Sequence, residues 1–351
     1  MNAPAARVEI PFSVDALRAY LYGRIEGVDG SLTVSRFKGG QSNPTFLLES
    51  ASHRYVLRAK PAPVAELLPS AHAIEREYRV QSALAGTDVP VAHMHCLCED
   101  ESIIGRAFYV MQHVEGRVLW DQALPDSSRE ERAAIYDEMN RVISALHRID
   151  PDAIGLGDYG KHSEYMARQI RRWSKQFEAS RTIPMPAMDR LIEWLPAHLP
   201  IADDAVSIVH GDFRLDNMIF DPDASRILAV IDWELSTLGH PLADFAYHMM
   251  SRHIPRDGMR GLGGVDIEAL GIPDEATAIA AYERRSGRTV SGDWNYYLAY
   301  NLFRLAAICQ GIAKRVEDGT AANARAAEHG AMAAPLAELG WQFAQKSEAC
   351  A

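Results

Sequence analysis

Cysteine is scarce in this chain: Cys96, Cys98, Cys309 and Cys350 are the only thiols among 351 residues. So few, so widely spread, they cannot form the disulfide framework of a small secreted protein. A zinc site on Cys96 and Cys98 needs further ligands at fitting spacing, and none stands nearby, so the pair reads as buried thiols on one face of a strand. Long apolar runs are missing too; nothing approaches the roughly 18 residues that would mark a membrane span. The opening MNAPAARVEIPF lacks the basic start and apolar core of a secretion signal. These two absences predict a cytoplasmic protein with no membrane partner. Positive charge is also short, with 36 Lys and Arg against 47 Asp and Glu and a formal net charge of -11. No global basic field therefore draws nucleic acid to it. Internal repeats and low-complexity tracts are absent.

What is present divides into two kinds of chain. Ser13 can cap a helix over 13–25, where Val14, Leu17, Leu21 and Ile25 recur at helical spacing. Short β-branched or aromatic runs follow at 32–37, 45–49 and 54–58, separated by Gly, Asn and Ser-His turns. A helix is expected over 70–84, then two more strands at 91–98 and 107–112. Beyond Gly116 the pattern turns helical, with amphipathic stretches at 128–148, 164–179 and 188–198 and an almost wholly helical region over 275–346. One β-rich island, 206–232, interrupts it. Strands with one helix, then helices around an island, predict two lobes meeting near 112–117. The expected division is a tail and helix at 1–29, an N-lobe at 30–112 and a helical C-lobe at 113–351.

The chemistry concentrates in the island. The strand Val206–Val209 delivers a polar loop, His210-Gly-Asp-Phe-Arg-Leu-Asp-Asn217, and a second apolar run follows at once. Phosphoryl transfer needs a carboxylate to receive the proton of the attacking hydroxyl and oxygen ligands for magnesium beside the moving phosphate. Asp212 and Asn217 stand at the D-x-x-x-x-N spacing of a kinase catalytic loop. Further on, the buried strand 227–231 ends in Asp232-Trp-Glu, which places another carboxylate at the end of a rigid element. An acidic turn between buried strands would explain either segment alone. It does not explain both, in this order and at this distance.

HGDFRLDN followed by VIDWE resembles the catalytic loop and metal-binding aspartate of the aminoglycoside and choline phosphotransferases. The resemblance implies an α+β, bilobal, protein-kinase-like fold: a small five-stranded antiparallel N-lobe and a larger, mainly helical C-lobe. It implies Asp212 as catalytic base, with Asn217 and Asp232 as magnesium ligands. It further implies ATP or GTP as phosphoryl donor and a small-molecule hydroxyl as acceptor. The stretch 37–46 holds Gly39, Gly40, Gln41, Ser42 and Asn43 between two strands; glycines allow close approach of the backbone to phosphates, and the segment resembles the family's nucleotide-positioning loop. The strand cation and helix carboxylate that hold α- and β-phosphates in kinases are represented by Glu77 and by either Arg58, at the family's lysine position, or Lys60, on the same strand face. Met111, Gln112, His113 and Val114 resemble the hinge that meets the adenine edge. His210 reads as a structural hydrogen-bonder. Asp244 resembles the aspartate that braces the catalytic loop through its backbone amides.

The acceptor is less legible, because one fold serves many substrates. The segments 67–78 and 297–311 resemble the kinase-like domain fused to certain acyl-CoA dehydrogenases, which implies a hydroxyacyl-CoA or related hydroxy compound. Arg304, Gln310, Lys314 and Arg315 on one long helix could meet an anionic substrate, and Arg214 and Glu234 border the motif. An aminoglycoside, choline or sugar kinase is the alternative within the fold. A non-catalytic nucleotide-binding scaffold is the alternative outside enzymes, favoured only by the missing family lysine at position 58.

Overall fold

The computed structural model describes residues 10–28, 30–37, 43–61, 73–200, 205–259, 261–290, 293–321 and 325–350. The chain forms two compact units, one from residues 1–117 with 218–236 and one from 118–217 with 237–351. The chain first passes from one unit to the other between residues 117 and 118. The return of 218–236 to the first unit arises because the segment pairs with the N-terminal part of the chain.

In the first unit, α1 (Val14–Leu21) begins where Ser13 Oγ accepts a hydrogen bond from Ala16 N at 3.2 Å. It stops short of the expected residue 25, since Gly23 takes φ +70°. Five strands follow: β1 (Thr33–Arg36), β2 (Thr45–Glu49), β3 (Arg54–Ala59), β4 (Met94–Cys98) and β5 (Phe108–Gln112). They form one antiparallel sheet in the order β1-β2-β3-β5-β4. Strand side chains alternate between faces, so Phe46, Leu48, Leu57, Phe108 and Val110 meet Leu17 and Leu21 in one core. Cys98 lies in that core with Cys96 packed against it, and burial pushes the Cys96 thiol up to about 11. The opposite face, carrying Met94 and Tyr109, packs with Ile74 of α2 (Ile74–Leu84). The hairpin of β7 (Met218–Phe220) and β8 (Ile227–Val230) joins this unit through a bridge between Arg117 and Phe220 and a hydrogen bond from Val230 N to Pro90 O at 2.9 Å.

The second unit is built from α3 (Arg129–Arg148), α4 (Tyr165–Ser180), α5 (Pro186–Ala197), α6 (Pro241–Met249) and the short α7 (Arg256–Met259) and α8 (Ile267–Leu270). It continues through α9 (Glu275–Ser286), α10 (Trp294–Glu317), α11 (Ala326–Ala331) and α12 (Ala333–Cys350). Ser128 caps α3, and Pro186 and Pro241 open α5 and α6, where a missing N–H costs nothing. α10 runs through the middle, packing against α4, α5, α6, α11 and α12. One small sheet pairs β6 (Ser207–Val209) with β9 (Thr237–Gly239), and β6 leads into the polar loop. Among the described residues no helix is long and apolar enough to cross a membrane.

Candidate active site

The loop after β6 is suspended from α6. Gly211 takes φ +80°, a conformation that glycine enters without steric cost, and this turns two successive amides toward one acceptor. His210 N donates to Asp244 Oδ2 and Gly211 N to Asp244 Oδ1, both at 2.8 Å. Asp244 is buried, and its Oδ2 also lies 3.3 Å from His147 Nε2, whose Nδ1 is 2.8 Å from the Tyr282 hydroxyl. Burial alone would raise the Asp244 carboxyl; His147, His210 and the donated amides outweigh it and hold the group below the usual carboxylate range. From the other side, Arg304 Nη2 of α10 donates to Gly211 O at 2.7 Å. The loop backbone is therefore fixed from two helices.

Asp212 follows directly. Its N–H donates to His210 Nδ1 at 3.2 Å, so His210 accepts a local bond and is itself fully buried. The Asp212 carboxylate accepts from Asn217 Nδ2 at Oδ2, 2.9 Å, and from the Tyr247 hydroxyl at Oδ1, 2.5 Å. Asn217 Nδ2 also donates to Asp212 O at 2.9 Å. Burial pushes the Asp212 carboxyl up, while Arg214, the Tyr247 hydroxyl, His210 and Arg304 pull it down; the net result lies below the ordinary value. Asp212 is thus ionised at neutral pH, as a proton acceptor must be.

A second constellation sits within the first unit. Arg58 of β3 and Tyr109 of β5 are cross-strand partners, so their side chains leave the same face of the sheet. Glu77 of α2 meets both: its Oε2 lies 3.0 Å from Arg58 Nε and accepts from Tyr109 OH at 3.0 Å, and its Oε1 accepts from Asn43 Nδ2 at 2.7 Å. Arg58 Nη2 reaches Asp232 Oδ1 at 2.9 Å and Glu234 Oε2 at 3.3 Å. Burial works against the guanidinium charge, but Glu77, Tyr109, Asp232 and Glu234 outweigh it and raise its pKa. Lys60 instead pairs with Glu75 at the start of α2. Asp232 follows β8 with φ +67°, a left-handed conformation that aspartate enters more readily than most non-glycine residues.

This chain matches the phosphotransferase enzyme family, APH, over residues 33–287. It belongs to that family. Acyl-CoA dehydrogenase family member 10 of Mus musculus is 43% identical over 348 residues, covering 98% of this chain and 32% of the mouse protein. The chain thus spans about a third of that relative's length. A solved structure from Ralstonia eutropha, provisionally named an aminoglycoside phosphotransferase, shares 59% identity with a TM-score of 0.89, covering 95% of this chain and 99% of that one. A thermostable aminoglycoside phosphotransferase in ternary complex with ADP and hygromycin B shares 15% identity with a TM-score of 0.61, covering 93% and 97%. At that identity the likeness concerns the fold.

In this APH-family phosphotransferase, the structure brings Asp212, Asn217, His210 and Asp244 into one network, and Arg58, Glu77, Asn43, Asp232 and Glu234 into another. Gly39, Gly40, Gln41 and Ser42 lie outside the described residues. Of the expected hinge, Met111 and Gln112 lie inside the sheet, with Gln112 N donating to His93 O at 2.8 Å; His113 and Val114 follow the strand. The side chains of α10 expected to meet an anionic substrate have partners within the protein. Arg304 and Gln310 point inward, Arg304 to Gly211 and Gln310 to Ser180 O and Thr182 Oγ1 at 2.6 and 3.0 Å, while Lys314 pairs with Asp318. Arg214 is an ion-pair partner of Asp216. Sequence reasoning missed Tyr247. Its signal was its place three residues after Asp244, which puts both on one face of α6.

Magnesium prefers hard oxygen ligands, and the residues expected to hold it offer them. Both donor bonds of Asn217 run to Asp212, which leaves its amide oxygen as the outward atom. Asp232 engages Arg58 through Oδ1, and its Oδ2 accepts no hydrogen bond among the described residues. No cluster of three or more His, Cys, Asp or Glu suited to a metal occurs among the described residues.

Proposed function

We propose that this phosphotransferase moves the γ-phosphoryl group of ATP or GTP to the hydroxyl of a small molecule, with a hydroxyacyl-CoA as the favoured acceptor class. The observation that carries the reading is the Asp212 carboxylate, held ionised between Asn217 and Tyr247 on a loop whose backbone is fixed by Asp244 and Arg304. Asp212 receives the acceptor's proton as its oxygen attacks phosphorus. Asn217 and Asp232 would hold magnesium, which when bound neutralises charge on the nucleotide phosphates. Arg58, locked by Glu77, offers a planar donor fork to phosphate oxygens, a geometry that a lysine lacks. The missing family lysine therefore does not empty the position, which weakens the scaffold reading. Support for the acyl-CoA class is the name of the 43% identical mouse relative. The name of the Ralstonia protein favours a second reading, an aminoglycoside acceptor.

One panel separates them: ATP or GTP with magnesium against hydroxyacyl-CoAs, amino alcohols and aminoglycosides, read as nucleoside diphosphate release and as product mass. A phosphorylated hydroxyacyl-CoA is the expected product; transfer confined to aminoglycosides would establish the second reading. Asp212→Asn should lower turnover by orders of magnitude while nucleotide still binds, and retained turnover would exclude Asp212 as the base.

A further inference from the structure

We propose that Tyr247 is a positioning residue for Asp212, fixing the carboxylate through Oδ1 and being fixed in turn by Arg304. The inference rests on Asp212 serving as the base. A carboxylate on a loop can rotate about its last bond, and Oδ1 also faces Arg214, whose Nε lies 3.7 Å away. A carboxylate that closed on Arg214 would form a tight ion pair and turn its lone pair away from an incoming hydroxyl. Two features oppose this. Arg214 is engaged by Asp216, with Nε donating to Oδ1 at 3.0 Å and Nη2 paired with Oδ2. Tyr247 of α6 holds Oδ1 at 2.5 Å.

The tyrosine is itself packed on both helices, α6 and α10. Its ring is buried on α6, and the Arg304 guanidinium lies 4.9 Å from its centroid and 5.5 Å from that of Trp173 on α4. Arg304 also grips Gly211 O, the carbonyl just before Asp212. One face of α6 thus acts twice, with Asp244 setting the loop backbone and Tyr247 setting the side chain that the backbone carries. Catalytic groups tolerate misplacement of only about 0.5 Å, so a second fixed point on the carboxylate bears on turnover more than on binding.

The test is a double-mutant cycle between Tyr247→Phe and Asp212→Asn, followed as single-turnover hydrolysis of magnesium-ATP with water as acceptor. Phenylalanine keeps the ring against Arg304 and removes only the hydroxyl. Tyr247→Phe alone should slow turnover about 10- to 100-fold, the range for losing a hydrogen bond to a charged group, with the KM for ATP unchanged. On the Asp212→Asn background the same change should cost less than about two-fold, because residues acting as a unit are not additive. Equal losses on both backgrounds, or a loss residing in KM, would overturn the proposal. If Asp212→Asn itself leaves turnover intact, the base assignment fails instead, and the two failures are distinct. Fluorotyrosine at 247 is the second variant, keeping ring and hydroxyl; turnover within about two-fold of the wild type supports the role, and a loss as deep as that of Tyr247→Phe counts against it.

Discussion

Replacing Asp244 by asparagine changes one atom and should both destabilise the protein and disarm the loop. In the wild type, Oδ1 and Oδ2 each accept a backbone N–H at 2.8 Å, from Gly211 and His210. Asparagine offers one acceptor and places an NH₂ against the other amide. The lost bond to an ionised acceptor costs roughly 1.5–3 kcal/mol, and the buried amide left without a partner adds about 1–3 kcal/mol. The sum, about 2.5–6 kcal/mol, is large beside a typical total of about 5–15 kcal/mol. Urea denaturation should show a lower midpoint with unchanged slope, and turnover should fall at least 100-fold, since a shift of about 1 Å in a catalytic group costs that much. The pH dependence has a definite sign. Asp244 has a depressed folded pKa, so its contribution is present above the unfolded value near 4 and is lost as pH falls through the folded one. The gap between wild type and Asp244→Asn should accordingly be full at pH 7 and narrow below about pH 4. A variant within about 1 kcal/mol of wild type that keeps its turnover would refute the reasoning.

Two other predictions concern separate parts of the molecule. Arg58→Lys should raise the KM for ATP about ten-fold, because the donor fork shared among Glu77, Asp232 and Glu234 is lost; Lys60→Ala should leave it within about two-fold, its partner being the half-buried Glu75. Equal effects from the two variants in steady-state kinetics would return the phosphate-binding role to both. His248 is buried between Phe213 and Phe245, and burial, helped by Arg252 and opposed by Asp244, pushes it down to about 3 from an ordinary 6.5. Between those values the unfolded chain binds the extra proton, so stability is full above pH 6.5 and falls by up to about 1.4 kcal/mol per pH unit below it. His248→Phe should flatten that slope in urea titrations at pH 5 and 7.

The proposed catalytic residues were legible because their relation is local. Asp212 and Asn217 are tied by five positions of chain, and Asp232 ends an apolar strand that alternation and turn residues reveal. Arg58 and Glu77 were legible as candidates, but that Glu77 meets Arg58 while Lys60 meets Glu75 required knowing the packing of β3 against α2. Tyr247 and the bracing by His147 depend on which face of a wholly buried helix meets which neighbour, and a helix without a polar side carries no such mark. The same blindness explains Arg304 and Gln310. On a helix that is buried for most of its length, the carbonyls that these two side chains hold are not legible from spacing.

The return of residues 218–236 to the first unit has a consequence for synthesis. Neither unit is a continuous stretch of chain. A nascent chain that has emerged only through residue 117 owns the complete five-stranded sheet but not the hairpin that carries Asp232, and β6 has emerged long before its partner β9. Sequential, one-unit-at-a-time folding on the ribosome is therefore unavailable beyond that sheet, and both units close only after the hairpin and β9 have appeared. A gene fragment ending at 117 is then an incomplete first unit, and one beginning at 118 carries a hairpin whose pairing partner is missing.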